Sequence, residues 1–176
     1  MDPCQRLVLE FGYVALHDAH LGRAALSGSL TGVFLGFAGT EFSQVLATSP
    51  AGGSVYGATG STASIASGRL SYTLGLHGSC ASYDTACSAA LTACHASVTA
   101  LQIDECADAL AAGINLMLSP FNAVTFAISA LTSLLGRSHT FDVRADGYAR
   151  AEACGSVVLR HVFARSTLPS INALGS

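Results

Sequence analysis

The sequence contains no lysine, and only 11% of its 176 residues are charged, against about 25% in ordinary globular proteins. Apolar residues make up 51%, which excludes a disordered chain, since disorder needs low hydrophobicity and high charge. The eight basic residues, all arginine, form no cluster and the net charge is −3, so we expect neither nucleic acid nor a membrane surface as a partner. So few charges predict that another subunit, or a further part of the same domain, covers much of the surface.

Motifs for metals, cofactors and disulfides are missing as well. None of the six cysteines belongs to a C-x-x-C pair, and no His/Cys group has the spacing of a metal site, so we expect no metal and no disulfide framework. Gly57, Gly60 and Gly68 do not form G-x-G-x-x-G, and there is no Walker-type loop, so a bound nucleotide cofactor has no support.

Two long uncharged stretches, residues 42–68 and 109–136, resemble membrane spans only superficially. The first mixes Gly, Ser and Thr, and the second is interrupted by Gly113, Asn115 and Pro120, so that each half is too short to cross a bilayer. The first ten residues carry charges where a signal peptide needs its apolar core. We therefore expect a cytoplasmic protein, or one inside an organelle if a targeting segment is missing.

Short apolar strands alternate with helices along the chain, which predicts an α/β layered domain. The predicted helices cover residues 2–19, 61–67 with a possible extension over 70–74, 88–101 and 123–135. The predicted strands cover 31–36, 78–83 and 155–159, while 107–114 is either a helix end or a buried strand. In the third helix, Leu91, Cys94, Val98 and Leu101 recur at three- and four-residue spacing, which is typical of a helical stripe.

Cys87 is the only cysteine predicted to lie where a strand runs into a helix. The N–H groups at a helix N-terminus favour a thiolate, which is the nucleophilic form of cysteine, and nearby backbone N–H groups could hold a developing oxyanion. The alternative is one more buried thiol, which is the interpretation we give to the other cysteines. His95 lies on the same helix, and a single helical histidine is more often a packing residue than a catalyst.

The segment D-T-A-C-S-A-A-L around Cys87 resembles the acyl-accepting motif of the β-ketoacyl synthase (ketosynthase) domain of type I polyketide and fatty-acid synthases. Five further segments resemble that family in the same order. They are MDPCQRLVLE, GSLTGVFLG, YGATGSTASIASGRLSYTLGLHG, DECADALAAGINLMLSP and FDVRADGYARAEACGSVVL. The resemblance covers residues 1–160 and fades in a divergent tail, 161–176.

The resemblance implies the thiolase-like layered α/β/α/β/α fold, of which this chain would form most of the first half. It implies an enzyme of the 3-oxoacyl-[acyl-carrier-protein] synthase type. Cys87 would accept an acyl group from the phosphopantetheine arm of an acyl carrier protein, and a decarboxylated malonyl-type extender would then attack the resulting thioester. The chain itself would bind no cofactor, because the phosphopantetheine belongs to the carrier protein.

The resemblance also assigns supporting roles to residues near the nucleophile and near the end of the chain. We expect four residues to shape the active-site turn without transferring protons: Asp84, Thr85, Ala86 and Ser88. Arg150 and Glu152 are expected to stabilise a loop beneath the site. The family forms homodimers through the strand before the nucleophile, here residues 79–83.

Departures from the family pattern leave alternatives open. The H-G-T-G-T and N-x-G-H motifs, which supply two histidines for condensation, do not occur in this sequence. The chain as written is therefore also compatible with a non-catalytic remnant that dimerises or binds, or with a cysteine enzyme that stops at thioester chemistry. In the loop before the last strand, Ala151 and Ala153 would be strained if the backbone there needs a positive φ.

Overall fold

A computed structural model describes residues 1–37 and 41–161. The helices are α1 (Pro3–Asp18), α2 (Arg23–Leu26), α3 (Glu41–Ala47), α4 (Gly57–Ser61), α5 (Ala63–Leu74), α6 (Ala89–Gln102) and α7 (Pro120–Ile128). The strands are β1 (Thr31–Phe37), β2 (Cys80–Tyr83), β3 (Asp108–Asn115) and β4 (Ala153–Arg160). In these residues no helix combines the length and the apolar character that crossing a membrane requires. The predicted tail from 162 onward lies outside the described residues.

The four strands form one sheet in the order β2-β1-β3-β4. β1 runs parallel to both β2 and β3, whereas β4 is antiparallel to β3. Helices α1 and α5 cover one face of this sheet and α6 covers the other. The described residues therefore build three layers, with one sheet between two helical layers.

Helix α1 begins as the sequence predicts. The Asp2 carboxylate accepts a hydrogen bond from the Cys4 backbone N–H at 2.8 Å, and Pro3 occupies the first helical position. This pair of residues is a strong start signal, because proline needs no hydrogen-bond acceptor there and the carboxylate satisfies a free N–H. Val8 and Leu16 then anchor the helix in the core, where both are fully buried.

Helix α6 packs on the sheet mainly with its small residues, and Leu101 is the one member of the predicted stripe that is buried. Ala89, Ala93, Ser97 and Ala100 are buried together with Leu101, whereas Leu91 is 73% exposed and Val98 is exposed as well. The reason lies in the strands beneath, where Gly36 and Gly113 let the helix backbone approach closely. The outer face of α6 consequently shows large apolar side chains to its surroundings, as the composition led us to expect.

One other local prediction needs correction, and two open ones are decided. Helix α7 ends at Ile128 instead of 135, because the chain turns at Ala130, where φ is 54°. Residues 108–115 form a strand, which decides the alternative left for 107–114. Ala151 and Ala153 are not among the described residues with positive φ, so the condition for strain is not met there. The positive φ values before β4 belong to Phe141, at 61°, and Gly147, at 136°.

Candidate active site

Cys87 lies in the turn that joins β2 to α6, as the sequence predicts. β2 ends at Tyr83, residues Ala86–Ser88 form a single 3₁₀ turn, and α6 begins at Ala89. The thiol-bearing residue is exposed, as is Cys80 on β2. Cys87 is therefore accessible from solvent in the structure.

The more deeply buried cysteines differ from Cys87 in chemistry. Burial raises the pKa of the Cys4 thiol to about 12, with a further contribution from the neighbouring Asp2 carboxylate. Burial also raises the pKa of Cys106 and of Cys154. Because the thiolate is the reactive form, these three thiols are held in their unreactive form near neutral pH.

Short-range hydrogen bonds define the conformation of the turn. The Asp84 carboxylate accepts a bond from the Ala86 N–H at 3.1 Å, and the Ser88 hydroxyl donates to the Thr85 carbonyl and hydroxyl oxygens, both at 2.9 Å. Ala86 has a φ of 52°, a conformation that costs a residue with a side chain about 1–3 kcal/mol. The residue immediately before Cys87 is therefore held in a strained conformation by its neighbours.

The sheet beneath the turn is adapted to the start of α6. A Cβ atom at Gly36 on β1 would lie 2.4 Å from the Ala90 nitrogen, and one at Gly113 on β3 would lie 2.7 Å from the Ala90 Cβ. Since real Cβ atoms do not approach so closely, only glycine fits at these two positions. The two glycines thus set how deeply the first turn of α6, and with it Cys87, sits on the sheet.

Arg150 and Glu152 connect the segment before β4 to residues that follow β1 and β3. The Arg150 guanidinium donates to the Glu41 carboxylate at 2.9 Å and lies 5.0 Å above the centre of the Phe126 ring. The Glu152 carboxylate accepts a bond from the Met117 N–H at 2.8 Å. Arg150 therefore contacts helices α3 and α7, and Glu152 contacts the segment after β3, while their contribution to activity stays a prediction.

Glu41 is the residue of this network that was not predicted from the sequence. Its carboxylate accepts hydrogen bonds from the Leu118 and Ser119 N–H groups at 2.7 and 2.8 Å and from the Asn122 side chain at 2.9 Å. The sequence did contain one indication that Glu41 has a specific partner, because Glu41 is the only charged residue between Arg23 and Arg69. The Glu41 side chain is 9% exposed and that of its partner Arg150 is 13% exposed.

Glu41→Gln is expected to lower the free energy of unfolding by about 2–4 kcal/mol, because it leaves the buried Arg150 charge without a counter-charge. Burial acts to raise the pKa of Glu41, but its backbone and side-chain hydrogen bonds outweigh burial and the pKa lies below the usual 4.5. The stabilisation that ionised Glu41 contributes to the folded state is therefore fully present above about pH 4.5, and it is lost as the pH falls through the lowered pKa. Urea unfolding at pH 7 and at pH 3.5 measures both effects.

Glu10→Gln is the matched control for this prediction. Glu10 pairs with Arg6 at 3.4 Å on the surface of α1, with 56% of its side chain exposed. Exposed pairs contribute about 0–1 kcal/mol, so this variant should unfold almost like the unaltered chain. Equal losses in the two variants at pH 7 would contradict the role assigned to Glu41.

A family model described as "Beta-ketoacyl synthase, N-terminal domain" matches residues 1–162 of this chain. The chain belongs to this family. The family resemblance inferred from the D-T-A-C-S segment is therefore confirmed.

Curated relatives of this β-ketoacyl synthase chain are polyketide synthases. A mycocerosic acid synthase-like polyketide synthase of Mycolicibacterium smegmatis is 38% identical over 162 residues, which are 92% of this chain and 8% of the relative. A phenolphthiocerol/phthiocerol polyketide synthase of Mycobacterium tuberculosis is 40% identical, with 92% of this chain and 9% of the relative covered. The chain thus spans less than a tenth of the length of these relatives.

Solved structures confirm the predicted thiolase-like fold for the part that this chain contains. The ketosynthase from module 6 of the bacillaene synthase of Bacillus subtilis 168 is 32% identical to it, with a TM-score of 0.80. The superposition covers 92% of this chain and 27% of that ketosynthase. The three layers described above are therefore part of a larger layered domain in the solved relative.

Proposed function

We propose that this chain carries the acyl-accepting nucleophile of a polyketide-synthase ketosynthase and that the nucleophile is Cys87. The observation that carries the proposal is the position of Cys87, which is exposed in a strained turn between β2 and the N-terminus of α6 in a chain of the β-ketoacyl synthase family. Relatives at 38% and 40% identity are polyketide synthases, which favours polyketide elongation as the pathway.

In the first half-reaction, the Cys87 thiolate attacks the carbonyl carbon of an acyl thioester on the phosphopantetheine arm of an acyl carrier protein. The carbonyl oxygen becomes an oxyanion that N–H groups at the start of α6 can stabilise. When the intermediate collapses, the carrier thiolate leaves and takes a proton from solvent, and the acyl group remains on Cys87. Asp84, Thr85, Ala86 and Ser88 shape the turn, and Arg150 and Glu152 support the neighbouring loop.

In the second half-reaction, a malonyl-type thioester loses carbon dioxide and its carbanion attacks the Cys87 thioester. The new carbon–carbon bond forms as the Cys87 thiolate leaves, so that the product is a 3-oxoacyl thioester on the carrier. We assign this step to a longer protein that includes the present chain, because the sequence contains neither of the family's histidine motifs. The activity proposed for the chain itself is acyl transfer to Cys87.

We also propose that the chain forms a homodimer through β2. This strand lies at an edge of the described sheet, and an edge strand presents unpaired N–H and C=O groups that a second strand can use. Pairing with the same strand of another copy would bring two nucleophile turns close to one dimer axis. A cytoplasmic location stays a prediction of the sequence.

A non-catalytic dimerising or binding remnant is the second candidate. Two observations favour it, namely the missing histidine motifs and the exposed apolar side chains, among them Leu91, Leu134 and Phe141. Surfaces of this kind are typical of sites that another polypeptide covers. This candidate retains self-association and lacks acyl transfer.

One experiment separates the two candidates. The purified chain is incubated with hexanoyl-N-acetylcysteamine, an activated acyl thioester, and is then analysed by intact mass, peptide mapping and light scattering. A mass gain of one acyl group on the peptide containing Cys87 would support the enzyme. A chain that self-associates without gaining this mass would support the remnant, and a label spread over Cys80 and Cys94 would contradict a specific nucleophile.

A further inference from the structure

A third hydroxyl group joins the turn around Cys87 from the body of α6. The Thr92 hydroxyl lies 3.1 Å from the Thr85 hydroxyl, which in turn accepts the hydrogen bond from Ser88. The three side chains thus form a continuous series from the helix to the turn. No role for Thr92 was predicted from the sequence.

Thr92 differs from the other members of this series because it is half-buried and lies within the regular part of α6. That helix is packed on the sheet through Ala89 and Ala93, which are 4% and 0% exposed. Ser88 and Thr85, by contrast, belong to the exposed turn itself. Thr92 is therefore the point at which the turn is attached to a rigid part of the fold.

The turn needs such an attachment because Ala86 is strained. A left-handed residue with a Cβ atom persists only where its surroundings determine the conformation. The Asp84 carboxylate holds Ala86 from the strand side, while the Thr92–Thr85 contact holds the same turn from the helix side. Cys87 follows Ala86 directly, so a change in the Ala86 backbone would change the position of the Cys87 side chain relative to the start of α6.

We propose that Thr92 is a positioning residue whose hydroxyl holds Thr85, and thereby the strained Ala86, in the conformation that presents the Cys87 sulfur. The inference rests on the proposed function, because it takes Cys87 as the nucleophile. Thr92 does not touch the substrate in this proposal. It acts through Thr85 and Ala86.

The test compares Thr92→Val, which keeps the shape and removes the hydroxyl, with Thr92→Ser, which restores it. Iodoacetamide alkylation of Cys87 at pH 7 is followed by peptide-resolved mass spectrometry; the thiolate displaces iodide from carbon and the thiol proton goes to solvent. Thr92→Val is expected to slow Cys87 alkylation about two- to fivefold, because the turn that presents the thiol loses one of its attachments. Thr92→Ser should restore the rate.

Two internal controls make the result specific. Alkylation of Cys80 in the same molecules should not change. Thr99→Val removes another hydroxyl from α6, one that donates to the His95 carbonyl of the same helix at 3.0 Å, and it should leave the rate of Cys87 alkylation unaltered. An unchanged rate in Thr92→Val, an equal loss of rate in Thr99→Val, or no recovery in Thr92→Ser would overturn the proposal. Failure of the proposed function has a different signature, namely an unaltered chain that accepts no acyl group on Cys87.

Discussion

Cys87→Ala is expected to abolish acyl loading, with a loss of at least about 100-fold in the rate of thioester formation, because the side chain that forms the covalent bond is removed. Folding should change little. Cys87 is exposed, and surface substitutions usually alter the free energy of unfolding by less than about 0.5 kcal/mol. Intact mass after incubation with the activated acyl thioester measures the loading, and urea unfolding measures the stability.

The matched control is Cys80→Ala, which removes the other exposed cysteine only seven positions earlier. This variant should load as the unaltered chain does. Cys4 cannot take over in the Cys87 variant, because burial raises its pKa to about 12. A stable acyl label on the Cys87→Ala chain, or loss of loading in Cys80→Ala, would refute Cys87 as the acceptor.

Gly36→Ala is expected to lower the free energy of unfolding by about 3 kcal/mol. The added methyl group would lie 2.4 Å from the Ala90 nitrogen and 2.6 Å from the Ala89 carbonyl carbon. Both contacts are backbone atoms of α6, so no side-chain rotation can relieve them. The helix has to move off the sheet, which also displaces the Cys87 turn, and acyl loading should fall together with stability.

Gly155→Ala provides the comparison for this prediction, since Gly155 is also a strand glycine but has nothing within 4 Å of the position that a Cβ would take. We expect its midpoint of urea unfolding to match that of the unaltered chain, or to exceed it slightly because alanine restricts the unfolded state. If Gly36→Ala unfolds at the same urea concentration as Gly155→Ala, the conclusion that α6 packs too closely on β1 for a side chain at position 36 is contradicted.

The sequence predicted correctly that Cys87 lies between a strand and a helix, because the signals for that location are local. The change of period from strand to helix occurs within a few residues of Cys87, and the structure shows the corresponding boundaries at Tyr83 and Ala89. The start of α1 was predicted for the same reason, since Asp2 and Pro3 act on the helix that directly follows them. The family resemblance rests on several such segments in order, and it is confirmed over residues 1–162.

The partners of Glu41 could not be read from the sequence. It contacts residues 77 to 109 positions further along the chain, and no local pattern encodes such pairs. The buried face of α6 could not be predicted from the sequence either, because the apolar spacing of Leu91 and Val98 favours the wrong side of the helix. What decides that side is the pair of glycines on β1 and β3, which lie far from α6 in sequence and admit only small side chains.

By itself, the sequence determined the family of this protein and the position of Cys87 between a strand and a helix. Its low fraction of charged residues also predicts a covered surface. The tertiary structure alone decided what lies around that position, namely the glycines under α6 and the strained Ala86. It alone also decided that Glu41 pairs with Arg150. The physical reason is the range of the interactions. Periodicity and capping act over a few residues, whereas the depth of a helix on a sheet and the neutralisation of a buried charge depend on residues that only the fold brings together.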